Sequence, residues 1–583
     1  MVIQRIGFTV FFCSFWLFLV GASIASDPLP QTSRSGITPL KPPNTLVIPA
    51  SEVEQIHEFA DFTFDEGETE STLQVTYRNL YEYHDVYGPG RSASFLEQGG
   101  HFMSDLDVRS INFFSNGWRS ELSTTGRYTQ SDRYDPDRGS LQYLQLVLAD
   151  EDNNHHLTLG DYYASFSQYS FNRGIKGVGY QYTINEFSYI KVAAGTFHSR
   201  WNYLFERDEM EPIDRHGGGL RVQTGGENFL IGLNLVGAWD RNDDPNRTSE
   251  VVERQVLPSV DWEYQLPMIR LSGEHAYAPT RREDGQGNKK TITGTANRIN
   301  AHAYLGKVRW QLRTEHVTPE FVTMAGGAAV DRFRVYNRLD YRLSRIWSLY
   351  LGNDWYRNNL EGDLVATTKT WVPEIGFRAS GLFDRRSLNL SSGVRRRIVK
   401  TESPINREQV SDRVFVSLGD RFGDMAARAE VEMLINDNKQ TSPSSRQDDF
   451  YYRFILDSRH LIANGVLDLR PYLTLERQEV EDPATGMMVY TESARFDLRA
   501  ITRNDLYLGG NFEWRKTRSN ISDRDDSKEI RYAAHLEKRP EILGGGAIRA
   551  EAGHNRYNFT TDGRNYRENY VLFSLDLMLS KGI

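Results

Sequence analysis

Cysteine is almost absent from this chain: among 583 residues the only one is Cys13. It lies within an apolar stretch close to the N-terminus, so cleavage of that stretch as a leader would remove it. The mature chain would then have no disulfide, no thiolate metal site and no c-type haem attachment of its own.

Long apolar runs are missing beyond the first 25 residues. A transmembrane helix needs about 20 consecutive apolar residues, and no run approaches this length there. The sequence therefore predicts no transmembrane helix after the leader. Transmembrane β-strands remain possible, because alternating strands are only weakly hydrophobic and escape a hydropathy scan.

Catalytic signatures are also missing. The sequence contains no GxSxG, HExxH, Walker or CxxCH motif. Asp132, Asp135 and Asp137 resemble a calcium loop, but their spacing departs from the EF-hand pattern, so we interpret them as part of a polar loop. The pair His155-His156 is interpreted as a solvated turn. These absences predict a protein that is not an enzyme and needs no cofactor.

The charge balance disfavours nucleic acid as a partner. The formal net charge is −9, whereas nucleic-acid-binding domains are usually basic. Aromatic residues make up 12% of the chain and charged residues 25%. This combination suits a barrel that has an aromatic girdle outside and a polar lumen inside.

The N-terminus has the pattern of a secretory signal peptide. Arg5 precedes the apolar stretch at residues 6–22, and the small residues at 23–25 suit a cleavage site. We predict a signal peptide at 1–25 and a proline-rich periplasmic leader at 26–71. Within that leader, residues 51–62 could form one short helix, since Ser51 and Glu54 have capping-box spacing.

From residue 72 to 583 the sequence predicts a series of amphipathic β-strands. In 308–315, 333–343, 467–476, 494–500 and 571–579, apolar and polar residues alternate, which places them on opposite faces of a strand. These segments approach the length of about 10 residues that crosses a bilayer at a tilt. A soluble β-propeller is the structural alternative, but no repeat of about 40–50 residues is present.

Short and long connections alternate between the predicted strands. Short turns fall at Ser115-Asn116-Gly117, Asn185-Glu186, Gly225-Gly226, Leu266-Pro267, Gly306-Lys307, Ser344-Arg345, Leu382-Phe383-Asp384, Gly423-Asp424, Asn464-Gly465 and Arg503-Asn504-Asp505. Longer polar loops fall near 200–215, 239–253, 278–292, 317–331, 357–369, 436–447, 516–528 and 556–566. This alternation is typical of outer-membrane barrels, whose periplasmic turns are short.

The predicted fold is an all-β, antiparallel up-and-down transmembrane barrel. The segments number about 26, with a plausible range of roughly 22–28, and bacterial barrels of this class have even counts. An even count leaves both termini in the periplasm. The last strand is then expected to close the barrel against the strand that starts near Leu73.

The alternation also predicts which side chains face the lumen and which face lipid. The predicted lumen wall consists of Arg309, Arg313, Glu315, Arg334, Arg338, Asp340, Arg342, Asp468, Arg470, Glu476, Arg495, Asp497 and Arg499. The predicted lipid-facing residues are Trp310, Leu339, Leu469, Leu473, Phe573, Leu575 and Leu577. The simpler interpretation is a solvated wall on which opposite charges of adjacent strands form ladders. The more specific interpretation is a wall that binds an anion or a partner protein.

One stretch, GDYYASFSQYSFNRGIKGVGYQY at 160–182, combines four glycines with many aromatic residues. Glycine inside a strand indicates sharp curvature or a close approach of another backbone. The stretch faintly resembles the Gly-Asp…Arg-Gly segment of large secretion barrels such as fimbrial ushers. The match covers only about 20 residues, and it transfers no function.

More broadly, the chain resembles the large, porin-like outer-membrane barrels of Gram-negative bacteria. That resemblance implies three kinds of partner: the bilayer, lipopolysaccharide, and the barrel-assembly machinery acting through the C-terminal strand. The last residue is Ile583 rather than the usual Phe, so recognition by that machinery would depend on residues 573–579.

The predicted size sets the functional alternatives, because even 16–18 strands leave an aqueous channel. A 26-stranded barrel without a plug domain needs its own loops, its leader or another protein to fill the lumen. A transport or export channel is therefore the first hypothesis. A sheath around a partner, such as a multihaem cytochrome carrying electrons across the membrane, is the alternative. A lumen enzyme is the least favoured class.

Overall fold

The structure is a computed structural model that describes most of the chain after residue 70. The described ranges are 71–198, 200–202, 213–242, 251–362, 364–402, 406–439, 445–463, 465–521, 526–561 and 563–582. The predicted signal peptide and the predicted helix within 51–62 lie outside these ranges. Within them, no helix is long and apolar enough to cross a membrane.

The described residues form 26 β-strands. In chain order these are β1 (Thr72–Tyr87), β2 (Gly99–Phe113), β3 (Arg119–Thr129), β4 (Gly139–Ala149), β5 (His155–Ser167), β6 (Phe171–Asn185), β7 (Ser188–Thr196), β8 (Ile213–Gly226), β9 (Phe229–Asn242), β10 (Val252–Gln265), β11 (Ile269–Glu283), β12 (Lys289–Leu305) and β13 (Val308–Val317). They continue with β14 (Arg332–Arg342), β15 (Trp347–Asn358), β16 (Thr367–Ser380), β17 (Asn389–Glu402), β18 (Arg407–Phe422), β19 (Met425–Asn438), β20 (Ser445–Ser458, extended by His460–Ile462), β21 (Leu467–Asp482), β22 (Met487–Thr502), β23 (Leu506–Ser519), β24 (Ser527–Lys538), β25 (Ile548–Phe559) and β26 (Tyr566–Gly582).

Every strand pairs antiparallel with the next one, and the last strand pairs with the first. The closing seam runs from Thr72 opposite Gly582 to Tyr87 opposite Arg567. The predicted closed antiparallel barrel of 26 strands is therefore confirmed. Because the sheet closes on itself, no strand edge is left at the seam to pair with another chain.

The two ends of the barrel differ in their connections. We call the end that holds the predicted short turns the turn end and the opposite end the loop end. Two-residue connections at the turn end include 186–187, 306–307 and 423–424. The connections depart from the prediction at both ends. At the loop end the connection near 278–292 spans only 284–288, and the short connections 168–170 and 483–486 also lie there. At the turn end the turn predicted at Leu382-Phe383-Asp384 is a connection of eight residues, 381–388.

Hydrogen-bonded rows climb around the barrel from the turn end to the loop end. One row begins at Arg119, the first residue of β3, and crosses Lys191 in β7. It ends at Val317, the last residue of β13. Strands tilted by about 40° produce this climb. Going back along a row, from higher to lower strand number, therefore leads towards the turn end.

Candidate functional site

The two faces of the strands differ in chemistry. One face exposes large apolar side chains all around the barrel, among them Leu233, Val256, Ile299, Trp371, Val394, Phe496, Phe512, Tyr532 and Val571. The opposite face carries charged residues. In β13 this second face includes Glu315 and Val317, both of which are buried against a chain segment that lies inside the barrel. The charged face therefore lines the lumen, and the apolar face is suited to lipid.

The segment inside the barrel is the end of the β5–β6 hairpin. Pairing between β4 and β5 stops at Gln145 opposite Gly160. Pairing between β6 and β7 stops at Lys176 opposite Thr196. Beyond these points β5 and β6 pair only with each other, up to Phe171. We call residues 161–175 the lumen hairpin.

Gly160 makes the departure from the wall possible. Its φ is +98°, a conformation that side chains other than glycine rarely adopt. A Cβ at this position would also lie 2.1 Å from the backbone oxygen of Leu144. Both the backbone conformation and the available space therefore require glycine where β5 bends inward.

Asp161 stabilises the bend. Its carboxylate accepts hydrogen bonds from the Leu144 backbone N–H at 2.7 Å and from the Trp201 indole at 2.6 Å. The Lys176 ammonium group pairs with the same carboxylate at 2.6 Å and lies 4.8 Å from the centre of the Trp201 ring. The bond to Leu144 supplies an acceptor for a β4 N–H group at the point where strand pairing ends.

Arg221 of β8 holds the hairpin on the inner wall. Its guanidinium donates to the backbone oxygen of Phe166 at 2.6 Å. It also forms a two-pronged pair with Asp261, at 2.6 and 2.9 Å, and donates to Asn234 at 2.9 Å. Paired donors with this geometry are among the strongest hydrogen bonds in proteins. One buried arginine therefore links the hairpin to β8, β9 and β10.

Tyr169, at the tip, makes the second set of contacts with the wall. Its backbone N–H donates to Glu274 and its hydroxyl donates to Glu315, each at 2.9 Å. Tyr169 is fully buried, and its ring packs edge-to-face on Phe321. The tip therefore reaches the inner faces of β11 and β13.

The connection between β13 and β14 also folds inward and covers the hairpin. We call residues 318–331 the lumen loop. Ala325 accepts a hydrogen bond from the Asn172 N–H at 2.9 Å, and Met324 accepts one from Arg173 at 3.0 Å. The Thr323 hydroxyl donates to the backbone oxygen of Tyr169 at 2.9 Å. The hairpin is thus held between the wall and this loop.

Apolar packing accompanies these polar contacts. One buried cluster contains Ala164, Phe166, Phe171, Ile175, Ala193, Val236 and Ala325, with Tyr162 and Phe197 packed against it. A second contains Tyr169, Leu257, Ala276, Ala278, Ala296, Val317 and Phe321. Alanines on the wall leave room for the aromatic side chains of the hairpin. Burial of each large side chain contributes about 1.5–3 kcal/mol, so the hairpin is a built-in part of the fold.

The predicted lumen residues occupy the charged face and form ladders of ion pairs. Pairs within and between neighbouring strands are Arg334–Asp354, Arg338–Asp340, Arg470–Asp468, Arg453–Glu476, Arg495–Asp497 and Arg332–Glu315. Arg309 lies over the ring of Tyr304. By strand alternation Arg313, Arg342 and Arg499 belong to the same face. Their part in binding a cargo stays a prediction.

The predicted lipid-facing residues occupy the apolar face. Trp310 and Leu339 are opposite one another on β13 and β14. By alternation Leu469 and Leu473 of β21, and Phe573, Leu575 and Leu577 of β26, share this face. The Trp310 indole donates to Asn337 at 2.7 Å, so its N–H group has an acceptor on the same face.

The aspartates of the loop at 130–138 form ion pairs with an arginine of the same chain. Asp135 and Asp137 both pair with the guanidinium of Arg200. Burial alone would raise the pKa of Asp135, but hydrogen bonds from the Asp137 N–H, Arg200 and Ser140 outweigh it and lower that pKa. The described residues contain no cluster suited to a metal ion.

The sequence analysis identified the glycine-rich stretch as unusual but did not predict that it packs inside the barrel. The residues that anchor the hairpin, Arg221 and Glu274, belong to strands whose pattern looks ordinary. The available signal was the density of glycine at 160–179, where curvature was expected. Nothing in β8 or β11 indicated that a segment about 50–100 residues earlier in the chain would dock there.

No family model matches this chain, and no curated protein sequence matches it. Solved structures similar to it are outer-membrane barrels. The outer membrane transporter YddB from Escherichia coli shares 8% identity over 88% of this chain and 81% of its own, with a TM-score of 0.43. The translocation pore of the P pilus usher PapC shares 12% identity over 87% of this chain and 99% of its own, with a TM-score of 0.33.

An anion-selective porin from Comamonas acidovorans shares 12% identity over 50% of this chain and 90% of its own, with a TM-score of 0.28. Similarities at this level do not indicate what passes through the barrel. The closed antiparallel architecture of 26 strands is what the structure itself confirms of the predicted class.

Proposed function

We propose that the protein is an outer-membrane channel or conduit whose wide polar lumen is narrowed on one side by its own lumen hairpin. The observation that carries this proposal is the docking of the hairpin on the inner wall through Arg221 and Tyr169. A buried, hydrogen-bonded segment inside the barrel restricts the lumen permanently or until it is displaced.

The hairpin and the lumen loop cover only part of the inner wall of the barrel. Their buried contacts lie on β7 to β13, whereas the ion-pair ladders of β14 to β26 remain partly exposed. Neighbouring charges of both signs form a wall that water can solvate. Such a wall favours a polar cargo, whether a solute or an unfolded polypeptide, over an apolar one.

Membrane residence follows from the same proposal. The apolar face contacts the bilayer and, in its outer leaflet, lipopolysaccharide. The outward residues of β26, among them Phe573 and Leu579, are 45% and 65% exposed on the barrel surface, although β26 is already paired on both edges. We propose that the assembly machinery recognises this strand before the barrel closes.

Planar-bilayer recording of the purified full-length chain tests the channel. The expected result is small, intermittent openings, because the docked hairpin restricts the lumen but leaves the charged side of the wall uncovered. Steady conductance of the size of an unobstructed lumen of this diameter would contradict the restriction. Silence at every applied voltage would contradict the channel itself.

A sheath around a partner protein is the second candidate. The partly exposed charge ladders of β14 to β26 favour it, because paired arginines and carboxylates offer a polar surface to a folded guest. If the protein is a sheath, the purified complex should show no conductance. A second protein should copurify with the barrel, and that protein should resist protease only while it is inside the barrel. A chain that conducts when purified alone would argue against the sheath.

A further inference from the structure

Two pairs of like charges lie directly opposite each other on the barrel wall near the loop end. Lys516 of β23 is opposite Lys528 of β24, and Arg556 of β25 is opposite Arg567 of β26. Like charges in directly opposite positions of an antiparallel sheet repel each other and destabilise it. A ligand of negative charge that contacts both pairs would remove this repulsion.

The side chains of both pairs point outward, away from the lumen. By alternation, Lys516, Lys528 and Arg567 each share a face with an exposed apolar residue four positions along the same strand. Arg556 has the same orientation as Arg567, which it faces across the two strands. Arg518, two positions after Lys516, also points outward. We call Lys516, Arg518, Lys528, Arg556 and Arg567 the cationic patch.

Carboxylates leave most of the cationic patch without a partner. Within the part of the chain that the structure describes, the ion pairs internal to β23, β24 and β25 lie on the lumen face. The one ion pair of the patch joins Arg518 to Glu492 of β22 at 3.1 Å. All members of the patch are exposed except Lys516, which is partly buried. The patch therefore presents a net positive charge on the outer surface.

The cationic patch lies just beyond the apolar band, on its loop-end side. A row on the outer surface runs from Trp514 in β23 through Arg556 and Arg567 to Tyr87 in β1. Tryptophan and tyrosine are typical of the membrane interface. Strands about 4.8 Å apart and tilted by about 40° place the five cations about 5–10 Å beyond Trp514. The head-group layer of a bilayer extends about 5–8 Å beyond the hydrocarbon core, so the patch lies at that depth.

The surface below the patch suits acyl chains. Gly510, Ala534 and Ala552 are neighbours on three adjacent strands and face outward. The larger side chains of Phe512 and Leu536, which are 44% and 41% exposed, flank them. The short side chains thus lie between larger apolar ones, where a hydrocarbon chain can pack while its polar head reaches the cations.

We propose that the cationic patch binds the phosphate groups of lipopolysaccharide in the outer leaflet. Guanidinium and ammonium groups bind phosphate oxygens through charge-assisted hydrogen bonds, and arginine can form two such bonds side by side. The phosphates offset the repulsion within both like-charge pairs, and the acyl chains lie on the apolar surface below. The inference rests on the proposed function in one respect only, namely that the loop end lies in the outer leaflet.

Native mass spectrometry of the purified full-length protein in detergent tests the site. The probe is lipid A with two phosphate groups, titrated against the wild type and against Lys528→Gln/Arg556→Gln, which removes one member of each like-charge pair. We expect the dissociation constant of this variant to rise about 25-fold, since each cation beside an anionic lipid surface changes the affinity about fivefold. Without lipid the variant should be at least as heat-resistant as the wild type, because the substitutions relieve repulsion.

Lys369→Gln/Lys400→Gln is the matched control. Both lysines are outward and near the loop end, but Lys369 pairs with Glu402 at 2.6 Å and Lys400 pairs with Glu408 at 3.2 Å. The control removes the same number of positive charges and should leave the dissociation constant within about twofold of the wild type. Should the patch variant fail to assemble, Lys516→Gln/Arg567→Gln removes the other member of each pair.

A loss of affinity in the patch variant that the control does not share supports the site. Equal affinities in all three proteins, or an equal loss in the control, overturn it. Dephosphorylated lipid A or phosphatidylglycerol that binds the wild type as tightly as the probe would also overturn it, because the patch would then not select a lipid with several phosphates. Lipid binding is measured without conductance, so a chain that conducts as proposed but fails this test rejects the site and leaves the channel standing.

Discussion

Replacing the lumen hairpin with a two-residue turn is expected to raise the single-channel conductance several-fold. The variant deletes residues 162–175 and joins Asp161 to Lys176 through Asn-Gly, the dipeptide that best suits a two-residue hairpin turn. Asp161 and Lys176 are directly opposite each other, so the shortened strands keep their register. The segment removed is the one that occupies the lumen in front of β7 to β13.

The expected increase follows from the geometry of large barrels. Barrel diameter grows about linearly with strand number, and 16–18 strands already leave an aqueous channel. Recording in planar bilayers, with heat-modifiable gel mobility as the check on assembly, measures the effect. Shortening the exposed loop-end connection at 284–288 is the matched control and should leave conductance near the wild-type level. Unchanged conductance in the hairpin variant would mean that the hairpin does not restrict the passage.

Gly160→Val is expected to prevent assembly of the native barrel. Valine would have to adopt a φ of +98°, with its Cβ 2.1 Å from the Leu144 backbone oxygen. Backbone strain and overpacking together cost about 2–6 kcal/mol. This approaches the total stability of many domains, about 5–15 kcal/mol. The assembled fraction in outer membranes, measured by heat-modifiable mobility, should fall to a small part of the wild-type value.

Gly174→Val, on the opposite strand of the same hairpin, is the matched control. A Cβ at Gly174 meets no atom within 4 Å, and its φ is not in the left-handed region. Assembly of this variant should match the wild type. Equal assembly of the Gly160 and Gly174 variants would show that β5 does not bend at Gly160.

Much of the barrel could be predicted from the sequence because each strand carries its own signal. In β13 and β14 the alternation of Trp310 and Leu339 with Arg309 and Asp340 is complete without knowledge of distant residues. Turn chemistry then fixes where strands end. Period-two patterning and alternating loop lengths were sufficient for the fold class and the strand count.

The lumen hairpin could not be predicted for a physical reason. Antiparallel pairing continues from Asp161 to Phe171 after the strands leave the wall, with one register shift between Ser165 and Ser167. The two segments are therefore still strands, like those of the wall. The difference lies in the partners of that segment, which are Arg221, Glu274 and Glu315 on distant strands. Contacts between distant strands produce no periodic pattern in a single sequence. Only the glycines indicated that the backbone bends here.

The central claim, that the hairpin lies inside the barrel against β10, is tested most directly by a disulfide formed in situ. The Ser167 and Ser259 hydroxyls lie 3.4 Å apart, within the reach of a disulfide between the same positions. Cys13 belongs to the predicted signal peptide, so in Ser167→Cys/Ser259→Cys the engineered pair would be the only thiols of the mature chain.

Mild oxidation of outer membranes that contain this double variant, followed by non-reducing gel electrophoresis, detects the bond. We predict a near-complete, reductant-sensitive mobility shift that neither single variant gives. An unshifted double variant, with position 167 open to a membrane-impermeant thiol reagent added outside, would contradict a hairpin docked in the lumen.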